Sequence, residues 1–160
     1  MVALSLAATR PELVRRLIPM SGPAHTEDEY VRNVMKVWLH LGDDPQIFPR
    51  FSMLVAFSRR YLNEIGREAV EELAMGFRST PNRIRQIDLA LRVDIRHLLP
   101  RIQAPTLVVG ATHDALIPVE NSREMHAAIP GSSYAELDTG HVSRTERPDE
   151  FVKLVQDFTA

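Results

Sequence analysis

The sequence predicts an α/β architecture: a three-stranded parallel sheet with a helical insertion between its first and second strands. Three observations predict it. From Pro105 onward, strand-like and helix-like segments alternate, which implies right-handed crossovers and parallel pairing. The run "PTLVVGA" is β-branched and lacks polar alternation, as a parallel strand buried on both faces should. Between the short apolar run "LIPMSG" and that strand lie roughly sixty residues of helical pattern.

Each element follows from local chemistry. The opening "MVALSLAAT" is apolar on nearly every side, so a helix there should be buried on several faces, with Pro11 ending it or starting a new turn. "LIPMSG" reads as a brief buried strand closed by a turn. Thr26 and Glu29 have capping-box spacing, and Val31, Val34, Trp38 and Leu41 follow at helical intervals until Gly42. A second helix is expected over roughly 48–65, with Phe51, Leu54, Val55, Ser58, Tyr61 and Leu62 on one side and Gly66 at its end. A third covers about 68–75, and a fourth starts at Thr80-Pro81 with Ile84, Ile87 and Leu91 as its stripe. "DIRHLLPRI" is a short amphipathic turn of helix, "PVENSREMHAAIP" a helix, and "SSYAELD" a strand. "RPDEFVKLVQDFT" closes the chain as a helix with Phe151, Leu154, Val155 and Phe158 inward. The expected division is a core of 1–24 and 93–160, with 25–92 as a helical cap or lid.

Composition narrows the function classes. A chain of 160 residues suits one domain, and 44% hydrophobic with 25% charged residues is ordinary for a globular protein. The net charge of -2 gives no electrostatic reason to expect nucleic acid or an anionic membrane as partner. With no cysteine, disulfides and Cys-based metal sites are excluded, and a reducing, cytoplasmic setting is expected. The apolar opening has no basic leader and reaches Arg10 too soon for a signal or spanning segment.

Two ionisable residues stand out. Three residues separate Asp114 from the strand "TLVVG" and three separate His141 from "YAEL". Sites on open parallel sheets form beyond the carboxyl ends of the strands, so neighbouring strands would deliver both side chains to one edge. A carboxylate accepting from one imidazole nitrogen fixes the tautomer that makes the other nitrogen a base. Gly140 and Gly110 are expected to permit the turns that aim the two side chains. Taken singly, Asp114 reads more simply as a turn cap and His141 as a loop residue near the surface; the paired context favours chemistry.

The stretch "PTLVVGATHDALIPVENSREMHAAIPGSSYAELDTGHVSRTERPDEF" resembles the C-terminal section of the α/β-hydrolase superfamily. "HDALIP", the helix end "AAIPGS", and "TGH" followed by "ERPDEF" carry the resemblance together. "MVALSLAATRPELVRRLIPMSG" is similar to the helix and strand that follow that family's nucleophile elbow. The resemblance implies Asp114 as triad acid, His141 as general base, the helical block as lid, no cofactor, and a small ester-like substrate. It also implies a nucleophile in Gly-x-Ser-x-Gly, and no two glycines here have that spacing.

Ser5, Ser21 and Ser143 are candidate replacement nucleophiles, each more simply an ordinary structural serine. His113, Asp138 and His141 lack metal-ligand spacing, so no metal is expected. Trp38, Phe48, Phe51, Met53, Phe57, Tyr61 and Met75 serve either packing or an acyl pocket, and His40 and His97 read as surface or structural residues. Three functional readings stay open at this point: part of a split or truncated hydrolase, or an acyltransferase using the same pair; a non-catalytic interaction module; or a section of a longer enzyme. In each, the uncovered first strand and opening helix call for a homodimer or a complementary N-terminal half.

Overall fold

The computed structural model describes all 160 residues, as a mixed α/β fold with a small parallel sheet. Its sheet centres on β1 (Leu107–Ala111), buried at every position, paired in parallel with β2 (Ser133–Leu137). The expected third strand is present on the other side of β1, but its ladder is interrupted. The amides of Leu17 and Ser21 donate to the carbonyls of Pro105 (2.9 Å) and Val109 (3.3 Å). The amides of Leu107 and Val109 donate back to Leu17 (2.9 Å) and Pro19 (3.0 Å). The rung missing between these four is the one that would need an N–H on Pro19. What remains are isolated bridges at Leu17–Thr106 and Met20–Val109 rather than a continuous strand.

Helix α1 (Val2–Thr9) buries Leu4, Ala7 and Ala8 in the main core with Leu17, Leu99, Ile102 and Val108. Burying Leu4 contributes about 1.5–3 kcal/mol. The other side of α1 is open, with Val2 77% and Leu6 38% exposed, so burial on several faces is not what this structure shows. A 3-10 turn at Pro11–Leu13 follows, as the proline predicts. On the same face α6 (Val119–Ala128) packs on β1, with Met125 in the same core as Leu4 and Val108. Gly110 makes that approach possible: a Cβ there would meet the Tyr134 hydroxyl at 2.8 Å and Val119 at 2.9 Å. Gly110 therefore serves close packing and not a turn before Asp114. A four-residue helix, α7 (Ser143–Glu146), precedes α8 (Pro148–Thr159), whose Phe151, Leu154 and Phe158 cover Leu107, Val109 and Leu137.

The helical insertion comprises α2 (Glu29–His40), α3 (Ile47–Ala56), α4 (Arg59–Met75) and α5 (Pro81–Ala90). Thr80 caps α5 as its sequence predicts, accepting from the Arg83 amide at 3.2 Å. The cap of α2 is Asp28, not Thr26: its Oδ1 accepts from Val31 at 3.1 Å, two residues past the expected box. The expected second helix is two helices. Ser58 has extended backbone (φ −66°, ψ 149°) and caps α4 through the Tyr61 amide, at 3.1 Å from its Oγ. Leu54, expected on the apolar side, faces outward within α3 at 64% exposure. Gly66 supplies a real kink in α4 with φ 79°. Gly42 instead sits under Ile84, whose Cδ1 would lie 2.7 Å from an added Cβ. No helix is long and apolar enough to cross a membrane.

The chain leaves the sheet layer at Ala24 and returns at Ile95, whose amide donates to the Ala24 carbonyl at 2.8 Å beside a His25–Asp94 bridge. Arg96 clamps this stem, pairing with Asp94 and with Glu27 (2.6 Å). The guanidinium hydrogen bond pulls the Asp94 carboxyl from its ordinary 3.8 down to about 2. A depressed carboxylate stabilises the fold above its unfolded value and loses that contribution as pH falls through its folded one. The clamp is therefore complete above about pH 4 and lost toward pH 2. In a carboxyl NMR titration we expect Asp94 to titrate near 2 and Arg96→Gln to return it toward 3.8; an ordinary midpoint in the unaltered chain removes the clamp.

Candidate active site

The pairing of β1 with β2 continues beyond both strands. Thr112 donates to Leu137 at 3.0 Å and His113 to Thr139 at 2.9 Å, so the loops after the strands leave the sheet side by side. Asp114 lies in the first loop and His141 in the second. Their side chains meet: His141 Nδ1 lies 2.8 Å from Asp114 Oδ2. The Asp114 side chain has no exposed surface, whereas that of His141 is 29% exposed.

The remaining Asp114 oxygen is occupied as well. Oδ1 accepts from the amides of Leu116 and Ile117, both at 2.8 Å, closing a tight turn over the carboxylate. An ionised carboxylate only accepts, so its partner nitrogen on His141 carries the hydrogen. That leaves Nε2, which bonds nothing in the chain, with its lone pair free. The arrangement can take a proton from a nucleophile presented to Nε2 and can stabilise the imidazolium that results.

The other expected candidates are placed differently. His113 turns to the surface, its Nε2 2.7 Å from Asp138 Oδ1, and shares that carboxylate with Arg60. The Arg60 bond, with the His113 bond second, holds the Asp138 carboxyl below its usual range. No three His, Cys, Asp or Glu side chains converge as metal ligands. Ser143 is buried and its Oγ shares a 2.6 Å hydrogen bond with Thr139, with Gly140's carbonyl at 3.3 Å. It is engaged as a structural hydroxyl, not poised as a nucleophile. Ser5 lies on α1, which packs on the 3-10 turn Arg96–Arg101. Ser21 is buried at the end of the first strand, with φ 44° and no partner for its Oγ.

Of the seven apolar residues that could serve packing or a pocket, Phe48 is buried in a cluster shared with Leu116 and Ile117, Met53 and Phe57 in one that Val142 packs against, and Trp38 stacks on Phe48 while donating to Ser52 at 2.8 Å. Met75 is 60% exposed. It borders a groove of about 900 Å³, which is lined by polar residues such as Arg50, Glu71 and Ser79 and includes neither Asp114 nor His141. His40 and His97 are exposed.

Residues not singled out from the sequence also frame the site. Tyr30 donates from its hydroxyl to the Ala115 carbonyl at 2.8 Å, tying α2 to the Asp114 loop. The buried Glu146 accepts from Gly140 and from both donors of Ser58. Gly140 has no left-handed backbone; an added Cβ would lie 2.5 Å from the Ser58 nitrogen, so it serves close approach and not the turn. Only Asp114 and His141 carried a positional signal, because strand ends are legible and cross-chain contacts are not.

No protein-family model matches the chain. It is 31% identical to the pyrrolizixenacetamide deacetylase of Xenorhabdus hominickii over 98% of this chain and 60% of that protein. Its fold superposes on an α/β hydrolase from a Medee basin deep-sea metagenome library with a TM-score of 0.88, at 23% identity, covering 99% of this chain and 60% of that one. It superposes on the enol-lactonase of Burkholderia xenovorans with a TM-score of 0.81 at 26% identity, covering 98% and 60%. The chain thus spans about 60% of the length of the proteins it matches.

The Ser143 assignment has a direct consequence. Ser143→Ala leaves the buried Thr139 hydroxyl without its partner, and we expect a loss of roughly 1–3 kcal/mol in chemical denaturation. The Asp114–His141 hydrogen bond, followed by NMR, should survive it; loss of that bond with unchanged stability contradicts the structural role.

Proposed function

The chain belongs to the α/β-hydrolase fold superfamily, and from that premise we propose that Asp114 and His141 are the acid and base of a serine-hydrolase triad. One observation carries the reading: the 2.8 Å Nδ1–Oδ2 bond that buries the carboxylate and leaves Nε2 open. The parent reaction is attack by a serine on an ester, lactone, amide or related carbonyl of a small molecule. His141 takes the serine proton and returns it to the leaving group, and Asp114 holds the ring. The deacetylase and the lactonase among the similar proteins support a carbonyl substrate and do not choose its acceptor.

Segment 25–92 is the lid in this reading, supported by the stem at Ala24 and Ile95 and by its contacts with both loops. No Gly-x-Ser-x-Gly occurs in the 160 residues, so the nucleophile and its oxyanion donors come from elsewhere, and the isolated chain is inert. A cytoplasmic setting fits a chain without cysteine.

The purified chain and its His141→Ala variant should hydrolyse a short p-nitrophenyl ester no faster than buffer. Turnover that falls with His141→Ala would place the nucleophile inside these residues, with Ser21 first to be replaced. Fused to the strand, elbow and oxyanion loop of a related hydrolase, the chain should gain turnover that His141→Ala lowers on the order of 10³-fold or more. A fusion that turns over equally well without His141 sinks the acid–base reading.

The apolar side of α1 and the outer edge of the first strand support a covering partner, either a second copy or a complementary N-terminal segment. Light scattering on the purified chain should then give a dimer or larger species; a clean monomer sets that expectation aside.

A further inference from the structure

Glu146 is a buried carboxylate with no cationic partner, 8% exposed, on the short helix α7 that follows the His141 loop. Three donors satisfy it instead. Oε1 accepts from the Ser58 amide at 2.7 Å and the Gly140 amide at 3.1 Å, and Oε2 accepts from the Ser58 hydroxyl at 2.6 Å. Ser58 is the break between α3 and α4, and Gly140 directly precedes His141. One carboxylate therefore joins the insertion to the loop of the base.

The residue on the other side of His141 is fixed to the same place, since Val142 donates its amide to Ala56 at 3.1 Å. Its side chain packs in the cluster of Met53, Ala56, Phe57 and Ala74. The two surfaces are flush at Gly140, where a Cβ would lie 2.5 Å from the Ser58 nitrogen and 2.7 Å from the Phe57 carbonyl carbon. His141 is thus bracketed, with both backbone neighbours held by the α3–α4 break.

We propose that Glu146 is a positioning residue: it makes the placement of the His141 ring conditional on docking of the α3–α4 break. The inference rests on His141 being the base. It adds that the base is held in place by the insertion as well as by Asp114, so movement of α3–α4 away from the core disengages both Gly140 and the imidazole. A burial role alone requires only that some polar partner satisfy the carboxylate; a positioning role requires that His141 respond when it is removed.

The test reads the Nδ1 proton of His141, a low-field NMR resonance of a carboxylate-bound imidazole, assigned by its loss in His141→Ala. The chain is compared with Glu146→Gln and Glu146→Ala, and folding is followed by circular dichroism. Glu146→Gln keeps a carbonyl for the two amides and should retain the resonance. Glu146→Ala should stay folded and exchange that proton at least about tenfold faster, or lose the signal. Wild-type exchange in Glu146→Ala overturns the proposal. Absence of the resonance in the unaltered chain overturns the acid–base reading itself, and this proposal with it. If Glu146→Ala does not fold, amide exchange in the unaltered chain decides. Gly140 and Ser58 should then be protected together, within about threefold of each other, because they share one acceptor. Free exchange at Gly140 beside a protected Ser58 overturns it.

Discussion

A carboxylate withdrawn from water needs its oxygens filled, and the cost of leaving one unpaired exceeds the gain from any single contact around it. Asp114 meets that demand with the amides of Leu116 and Ile117 and with His141. Much of the local architecture follows. Filling Oδ1 forces the chain to turn over the carboxylate, and that turn drives Leu116 and Ile117 into the cluster of Val31, Met35, Phe48 and Val55. The loop bearing Asp114 is therefore part of the insertion's hydrophobic core. Glu146 repeats the arrangement in the second loop, with Val142 as the apolar residue placed in the insertion.

The two loops are consequently each fixed three ways: by the continued parallel pairing from below, by a buried carboxylate from within, and by apolar residues seated above. Parallel pairing sets the direction in which the loops leave the sheet, but it leaves several ångströms of freedom to a side chain at a loop tip. A hydrogen bond held at 2.8 Å needs the remaining constraints. The Tyr30 bond to Ala115 and the Ser58–Glu146–Gly140 contacts supply them from separate helices. Arg60, reaching the Asp138 carbonyl and carboxylate, fixes the start of the His141 loop from the same side.

What could be read in the sequence was local or periodic. The β1 run, α5 with its Thr80-Pro81 start, α6 and α8 rest on apolar spacing and nearby punctuation, and each lies where those signals put it. Asp114 and His141 were legible because strand ends in a parallel sheet point to one edge. The break at Ser58 was not, since in isolation "VAFSRRYL" continues a helical stripe. Its partner Glu146 lies 88 residues away, and no local rule connects them. Asp28 displaced Thr26 for a similar reason: its second oxygen accepts from Asn121 of α6 at 3.0 Å, a tertiary bond that fixes where α2 starts. Gly110 and Gly140 were correctly marked but for the wrong cause, as a sequence shows that a side chain is absent and not what occupies its space. The run around Pro19 pairs with β1 through isolated bridges and not as a full strand, and its missing rung is implicit in the proline itself.

The pair at the sheet edge is also held independently of any third group, which bears on the proposed acid–base reading. Asp114 bonds His141 directly, while Glu146, Ser58 and Ala56 hold the residues on either side of it. None of that geometry has to wait for a nucleophile. A serine brought to Nε2 would meet a ring already in its tautomer and orientation, so the ordering cost at the moment of assembly falls on the serine and its oxyanion donors alone. Asp114 and His141 form one preorganised unit because the sheet, the insertion and two buried carboxylates are continuous with one another. The first strand meets β1 on one edge and leaves its other edge unpaired.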